Sequence, residues 1–145
     1  MIYADSSVIV KRYYEEPGTQ QVRERWTGAN RVFTSRVSYA EVHAALARKR
    51  RDGGLSVVAY RAASAAFEAE WPAYDQVHVD VATLADVRRL VQRYPLRGFD
   101  AIHLAAALWL RKELGRQVEF WAADDRLEAA AKRERLAGLN PERSG

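Results

Sequence analysis

The sequence predicts an α/β protein: a three-layer α/β/α sandwich around a central parallel sheet of four to five strands. Three observations predict it. Short apolar runs alternate with longer amphipathic stretches, as in strand–helix–strand repeats of a parallel sheet. The chain has 145 residues, enough for one domain with a proper core and too few for two. Its composition, 48% hydrophobic and 29% charged, is that of an ordinary globular protein.

Each element follows in order. "MIYA" is a buried strand, ended by Asp5, Ser6 and Ser7 at a helix start. "SSVIVKRYYEE" is helical as far as the turn at Pro17 and Gly18. Thr19 to Ala29 is a second amphipathic helix, and "RVFTS" a strand. "RVSYAEVHAALARKRRDGG" is a long helix ending at Gly53 and Gly54, and "SVVAYRAASAAFEAEWPAY" is another, halted near Pro72. "QVHVD" alternates apolar and polar residues as a strand, and "VATLADVRRLVQRY" is a helix stopped before Pro95. "GFDAIHLAAALWLRKELG" is a very apolar helix closed by Gly115. "QVEFWAA" is a strand, "DDRLEAAAKRERLAG" a helix and "LNP" a short edge strand. No linker, repeat or low-complexity segment interrupts the series. A single domain over 1–141 is expected, with 142–145 as a frayed tail.

There is no cysteine, which excludes disulfides and thiolate metal sites. The N-terminus lacks the pattern of a signal peptide, and no apolar run is long enough to span a bilayer. A cytoplasmic protein without a membrane partner is expected. The net charge of +4 is a mild excess that permits a polyanionic partner. The basic clusters in "ARKRRDGG", "VRRLVQRYPLRG" and "AAKRERLAG" read as solvated helix faces unless they converge on a site. Trp26, Trp71, Tyr74 and Trp109 read as packing residues.

The informative residues are acids. Asp5 directly follows a buried strand, at the carboxyl end where open α/β sheets bind ligands. Its structural alternative is a helix N-cap, a role open equally to Ser6 and Ser7. Glu41 has Val37, Ser38, Ala44 and Ala45 as its helical neighbours, and a glutamate on that face needs a cation or a salt bridge, for instance to an arginine. Asp100 lies in the first turn of the apolar helix, where the helix dipole favours it. His103, three residues on, reads as a buried, hydrogen-bonded structural histidine. Asp124 takes the same post-strand position as Asp5. Asp125, one residue later, reads as a solvent-side or capping acid. Like charges in one pocket need a cation, and an oxygen-only donor set selects Mg²⁺ or Mn²⁺. The matching chemistry is metal-assisted displacement at phosphorus, with water attacking a phosphodiester.

In order and spacing, "MIYADSSVIVKRYYEEPGT", "RVSYAEVHAAL", "GFDAIHLAAA" and "FWAADDRLEAA" resemble the PIN-domain ribonucleases, and most of all the VapC-type toxins of toxin–antitoxin pairs. The resemblance spans essentially the whole chain. It implies an α/β/α fold, Mg²⁺- or Mn²⁺-dependent endonucleolytic cleavage of RNA, inhibition by a small cognate antitoxin, and a homodimer. By position, Asp5, Glu41 and Asp100 match the family's three strongest acids, and Asp124 the fourth. Ser7 matches a small hydroxyl residue that supports the first aspartate. Ala122 departs from the pattern, because family members often carry Thr or Ser there. With this resemblance, Asp5, Asp100 and Asp124 are expected to hold the principal ion, with Glu41 joining them or helping to hold a second. Arg97 and Lys11 are candidate contacts to RNA phosphates.

Two other readings stay open. One is a different Mg²⁺-dependent phosphoryl-transfer domain. A phosphatase of the haloacid-dehalogenase type wants an aspartate where Ser7 stands, a P-loop motif is absent, and a receiver domain gives no reason for Glu41. The other is a catalytically silent module of the same fold that binds RNA or the antitoxin.

Overall fold

β1 (Ile2–Ala4) is short and wholly buried, and its alternating side chains divide the core in two. The computed structural model describes residues 1–29 and 31–143. β1 lies between β2 (Val32–Ser35) and β4 (Glu119–Trp121), with β3 (Asp75–Val77) and β5 (Ala137–Leu139) at the edges. The order is β3-β2-β1-β4-β5 and every pairing is parallel. Tyr3, Phe33, Val77 and Phe120 face α5 (Val87–Arg93), α6 (Gly98–Leu114) and α7 (Asp125–Arg133). Ile2, Ala4 and Trp121 face α1 (Ser6–Ile9), α2 (Thr19–Trp26), α3 (Val37–Arg51) and α4 (Val57–Glu70). The expected three-layer sandwich is therefore present, with five strands. Trp26, Trp71, Tyr74 and Trp109 all pack on its two cores.

Ala4 pairs with Trp121, so Asp5 and Ala122 leave the sheet side by side at its carboxyl edge. Asp5 N–H still donates to the Trp121 carbonyl at 3.1 Å. α3 starts from the same edge, after β2, and α6 brings its first turn there.

Among the boundaries that differ from the sequence expectation, β3 stops at Val77 instead of running through "QVHVD", and three others have a local cause. The first helix ends at Ile9 and tightens into a 3-10 turn over Val10–Arg12. Val8, Ile9 and Val10 are β-branched, poor helix formers, and all are buried. α5 begins only at Val87, because Asp80 and Thr83 form a reciprocal turn before it. Thr83 N–H donates to Asp80 Oδ1 and Asp80 N–H to Thr83 Oγ1, both at 3.0 Å, which competes with helix formation. β5 covers Ala137–Leu139 rather than "LNP", since Arg135 turns the chain out of α7 with φ 64° and Pro141 has no N–H for the ladder. Among the described residues no helix is long and apolar enough to cross a membrane. Of the expected frayed tail, Glu142 and Arg143 make side-chain contacts, and residues 144 and 145 lie outside the described residues.

Candidate active site at the carboxyl edge

Asp5 is the N-cap of α1 and is buried. Its Oδ1 accepts from Val8 N–H at 3.2 Å and from the Ser7 hydroxyl at 2.5 Å. Burial pushes its pKa up from 3.8 to about 6, and the charge of Glu41 adds to that. The hydrogen bonds from the Ser7 hydroxyl and Val8 N–H oppose the rise without cancelling it. Ser7 Oγ also accepts from Ala123 N–H at 3.0 Å, so one hydroxyl ties the exit of β1 to the exit of β4. Ala122 is fully buried in the core beneath that junction.

Asp124 caps α7, its Oδ1 accepting from Leu127 N–H at 2.9 Å. The cap of this helix is thus Asp124, while Asp125 is exposed and bonded by Asn140 and Arg143. Asp100 Oδ2 accepts from Arg97 N–H at 3.3 Å. Partial burial raises the Asp100 pKa, and the nearby charge of Asp124 raises it further against the Arg97 hydrogen bond. Asp100 and Asp124 line one open cavity of about 440 Å³, together with Arg97, Asp125, Arg126 and Glu142.

Glu41 lies on α3, and its partner is a histidine rather than an arginine. His103 Nε2 is 2.7 Å from Glu41 Oε1, and His103 Nδ1 is 2.8 Å from the Tyr3 hydroxyl. His103 is buried, as its place on the apolar helix predicts. Tyr3 carries a buried polar group into this network, a role that an apolar strand run does not advertise.

A common pattern joins the four acids. Asp5 Oδ1, Glu41 Oε1, Asp100 Oδ2 and Asp124 Oδ1 each take a protein donor. The second oxygen of each has no protein donor among the described residues. Oxygen donors held on one side and open on the other suit a hard cation such as Mg²⁺, which keeps several waters of its own. Among the described residues no group of three or more acidic or histidine side chains is drawn together tightly enough to enclose an ion directly. The donor set fits such an ion only with water completing its shell.

The basic residues divide. Arg97 is 87% exposed, and its Nε lies 3.8 Å from Asp100 Oδ2. Lys11 does not stand on the rim. Its ammonium is buried and bonded to Glu16 Oε1 at 2.9 Å, the Pro17 carbonyl at 2.8 Å and Glu142 Oε1 at 2.7 Å, so it is committed to the fold and unavailable to a phosphate. Arg126, exposed on the cavity wall, is the basic residue that sequence reasoning passed over. Its position directly after the paired aspartates, in the first turn of a helix, was the available signal.

A parallel sheet with acids placed along its carboxyl edge is an α/β arrangement, and the sequence profile of the PIN domain matches residues 2–133. The chain belongs to the PIN-domain family, in its VapC branch. It is 35% identical to Ribonuclease VapC46 of Mycobacterium tuberculosis over 143 residues, 97% of each chain. The fold is shared with FitAcB from Neisseria gonorrhoeae, at a TM-score of 0.73 and 17% identity over 97% of this chain and 98% of that one. It is also shared with a toxin–antitoxin complex from Klebsiella pneumoniae, at a TM-score of 0.69 and 15% identity over the same shares.

Proposed function

We propose that this chain is a Mg²⁺- or Mn²⁺-dependent endoribonuclease and the toxin of a toxin–antitoxin pair. What supports this reading is the set of four carboxylates, each with one oxygen fixed by a protein donor and the other without one. The relatedness to a protein named as a VapC ribonuclease points to RNA as the substrate. Asp5, Asp100 and Asp124 are the residues that would hold the ion, partly through water, with Glu41 as a further ligand or the holder of a second ion. Bound there, a divalent ion supplies a more acidic water and compensates the charge that builds at phosphorus. Ser7 fixes Asp5 and links it to the Asp124 loop. Arg97 and Arg126 meet backbone phosphates at the rim, which makes RNA binding salt-dependent.

The partners that go with this reading are a small cognate antitoxin covering the acidic edge and a second copy of the chain. The Klebsiella pneumoniae complex lends the antitoxin support at the level of fold. A cytoplasmic location goes with an RNA substrate.

The test is cleavage of RNA by the purified chain with Mg²⁺ or Mn²⁺. Chelator stops it, re-addition of either ion restores it, and Asp5→Asn or Asp100→Asn abolishes it. Cleavage that survives Asp5→Asn rules out this site. One observation favours the silent module instead: the acids do not close on a single point as they stand. Intact RNA and no Mn²⁺ uptake by a folded chain would decide for that module.

A further inference from the structure

One arrangement of protons satisfies the buried network behind Glu41 throughout. Tyr3 is fully buried, its ring stacked on Phe120 with centroids 5.5 Å apart and 8° between planes. Its hydroxyl oxygen accepts from Ser35 N–H at 3.1 Å. Its single proton is then directed to His103 Nδ1, 2.8 Å away. With Nδ1 as acceptor, the neutral imidazole carries its proton on Nε2, which donates to Glu41 Oε1 at 2.7 Å. The chain of bonds runs from the β2 backbone through β1 and α6 to α3. Its inner members cannot turn without orphaning a buried donor or acceptor.

Glu41 itself has a long, partly exposed side chain, 28% accessible, with rotamer freedom to lose. Among the described residues it has no other side-chain bond. We propose that His103 is a positioning residue, holding Glu41 in one orientation at the acidic edge through an Nε2–H whose tautomer is set by Tyr3 and the Ser35 backbone. The inference rests on the reading of Glu41 as a site carboxylate. Partners that orient an ion's ligands change its affinity by about 10- to 100-fold when removed.

Two substitutions separate this role from simple core packing. His103→Asn keeps an acceptor near Nδ1 for Tyr3 but is too short to reach Glu41. His103→Gln reaches Glu41 with an amide N–H. Mn²⁺ binding to the purified protein, followed by the resonance signal of the free ion, is the primary readout, and RNA cleavage and thermal unfolding are measured beside it. The expected result is about a tenfold or greater loss of Mn²⁺ affinity in His103→Asn, with most of it recovered in His103→Gln. The loss should also disappear in a Glu41→Gln background, because His103 would act only through Glu41. If His103→Asn folds and binds Mn²⁺ like the parent while Glu41→Gln is impaired, the positioning role is overturned and the site reading stands. Equal, additive losses from His103→Asn in both backgrounds also overturn it. If Glu41→Gln itself binds Mn²⁺ and cleaves RNA normally, Glu41 is outside the site, and the inference falls with that assignment.

Discussion

Ser7 Oγ donates to Asp5 Oδ1 at 2.5 Å while accepting from Ala123 N–H at 3.0 Å, so one side chain spans two neighbouring strand exits. The sheet register makes this possible, since Ala4 and Trp121 are partners and the residues beyond them leave together. The hydroxyl orients a carboxylate and satisfies a backbone donor. This gives Ser7 a supporting role at the junction where Ala122 offers no hydroxyl.

Ser7→Ala should therefore act on both stability and function. Losing the bond and leaving Ala123 N–H unpaired should cost about 1 kcal/mol in urea unfolding. RNA cleavage should fall by about tenfold, the scale expected when the support of an ion's ligand is removed. Ser7→Thr, which retains the hydroxyl, should recover most of the cleavage. Full activity in Ser7→Ala would show that Asp5 holds its orientation without this hydroxyl.

Asp5 gives a pH dependence of definite sign. Its carboxyl is raised from 3.8 to about 6 by burial, so between those values the folded chain binds more proton than the unfolded one. Stability from this group is greatest below about pH 4, falls as pH rises toward 6, and stays low above it. Asp100 shifts in the same direction, again chiefly through burial. At pH 7.5 and without divalent ions, Asp5→Asn should be more stable than the parent by on the order of 3 kcal/mol, and the gap should close near pH 4. Mg²⁺ should narrow the gap at pH 7.5 by stabilising the parent alone. Unfolding curves at several pH values, with chelator and with Mg²⁺, check both statements. A destabilised Asp5→Asn at pH 7.5 in chelator would mean that the buried charge is better compensated than its surroundings indicate.

The legible part of the candidate site was the part encoded locally. Asp5 and Asp124 follow apolar strands and Asp100 sits in a helix's first turn, so short-range pattern puts them at the sheet edge. The histidine partner of Glu41 was not legible, because it is 62 residues away on a helix whose composition speaks only of burial. The buried pairing of Lys11 was not legible for the same reason. One of its partners, Glu142, is 131 residues distant and enters through the tail after β5. The late start of α5 has a different cause: Asp80 and Thr83 satisfy each other's backbone before the helical pattern can take hold.

The basic residues should separate in a salt titration. Arg97 and Arg126 are exposed on the cavity wall, whereas Lys11 is buried among Glu16, Pro17 and Glu142. Arg97→Gln and Arg126→Gln should each weaken RNA binding and lower the slope of log affinity against log salt by about 0.7, the value for one phosphate contact on a single strand. Lys11→Met should leave that slope unchanged and lower stability by about 2 kcal/mol, since Glu16 and Glu142 lose their buried cation. Fluorescence anisotropy with a labelled RNA and a catalytically inert Asp100→Asn background measures the slopes. A reduced slope in Lys11→Met would return that lysine to the RNA surface.

Asp124 has two roles that substitution can divide. Oδ1 caps α7 through Leu127 N–H, and the carboxylate lines the cavity with Asp100. Asparagine caps a helix about as well as aspartate but carries no charge. Asp124→Asn should therefore keep stability within about 0.5 kcal/mol while strongly reducing RNA cleavage and Mn²⁺ affinity. Asp124→Ala should lose the same activity and about 1 kcal/mol of stability as well, because the helix loses its cap. Asp125→Asn is the control. That residue is solvent-exposed, with Arg143 2.8 Å and Asn140 3.0 Å from its Oδ1, so its loss should leave cleavage unchanged. Activity measured beside denaturant unfolding for the three variants gives two independent axes. If Asp124→Asn cleaves RNA as the parent does, Asp124 is a cap alone. The proposed catalytic set would then contract to Asp5, Glu41 and Asp100.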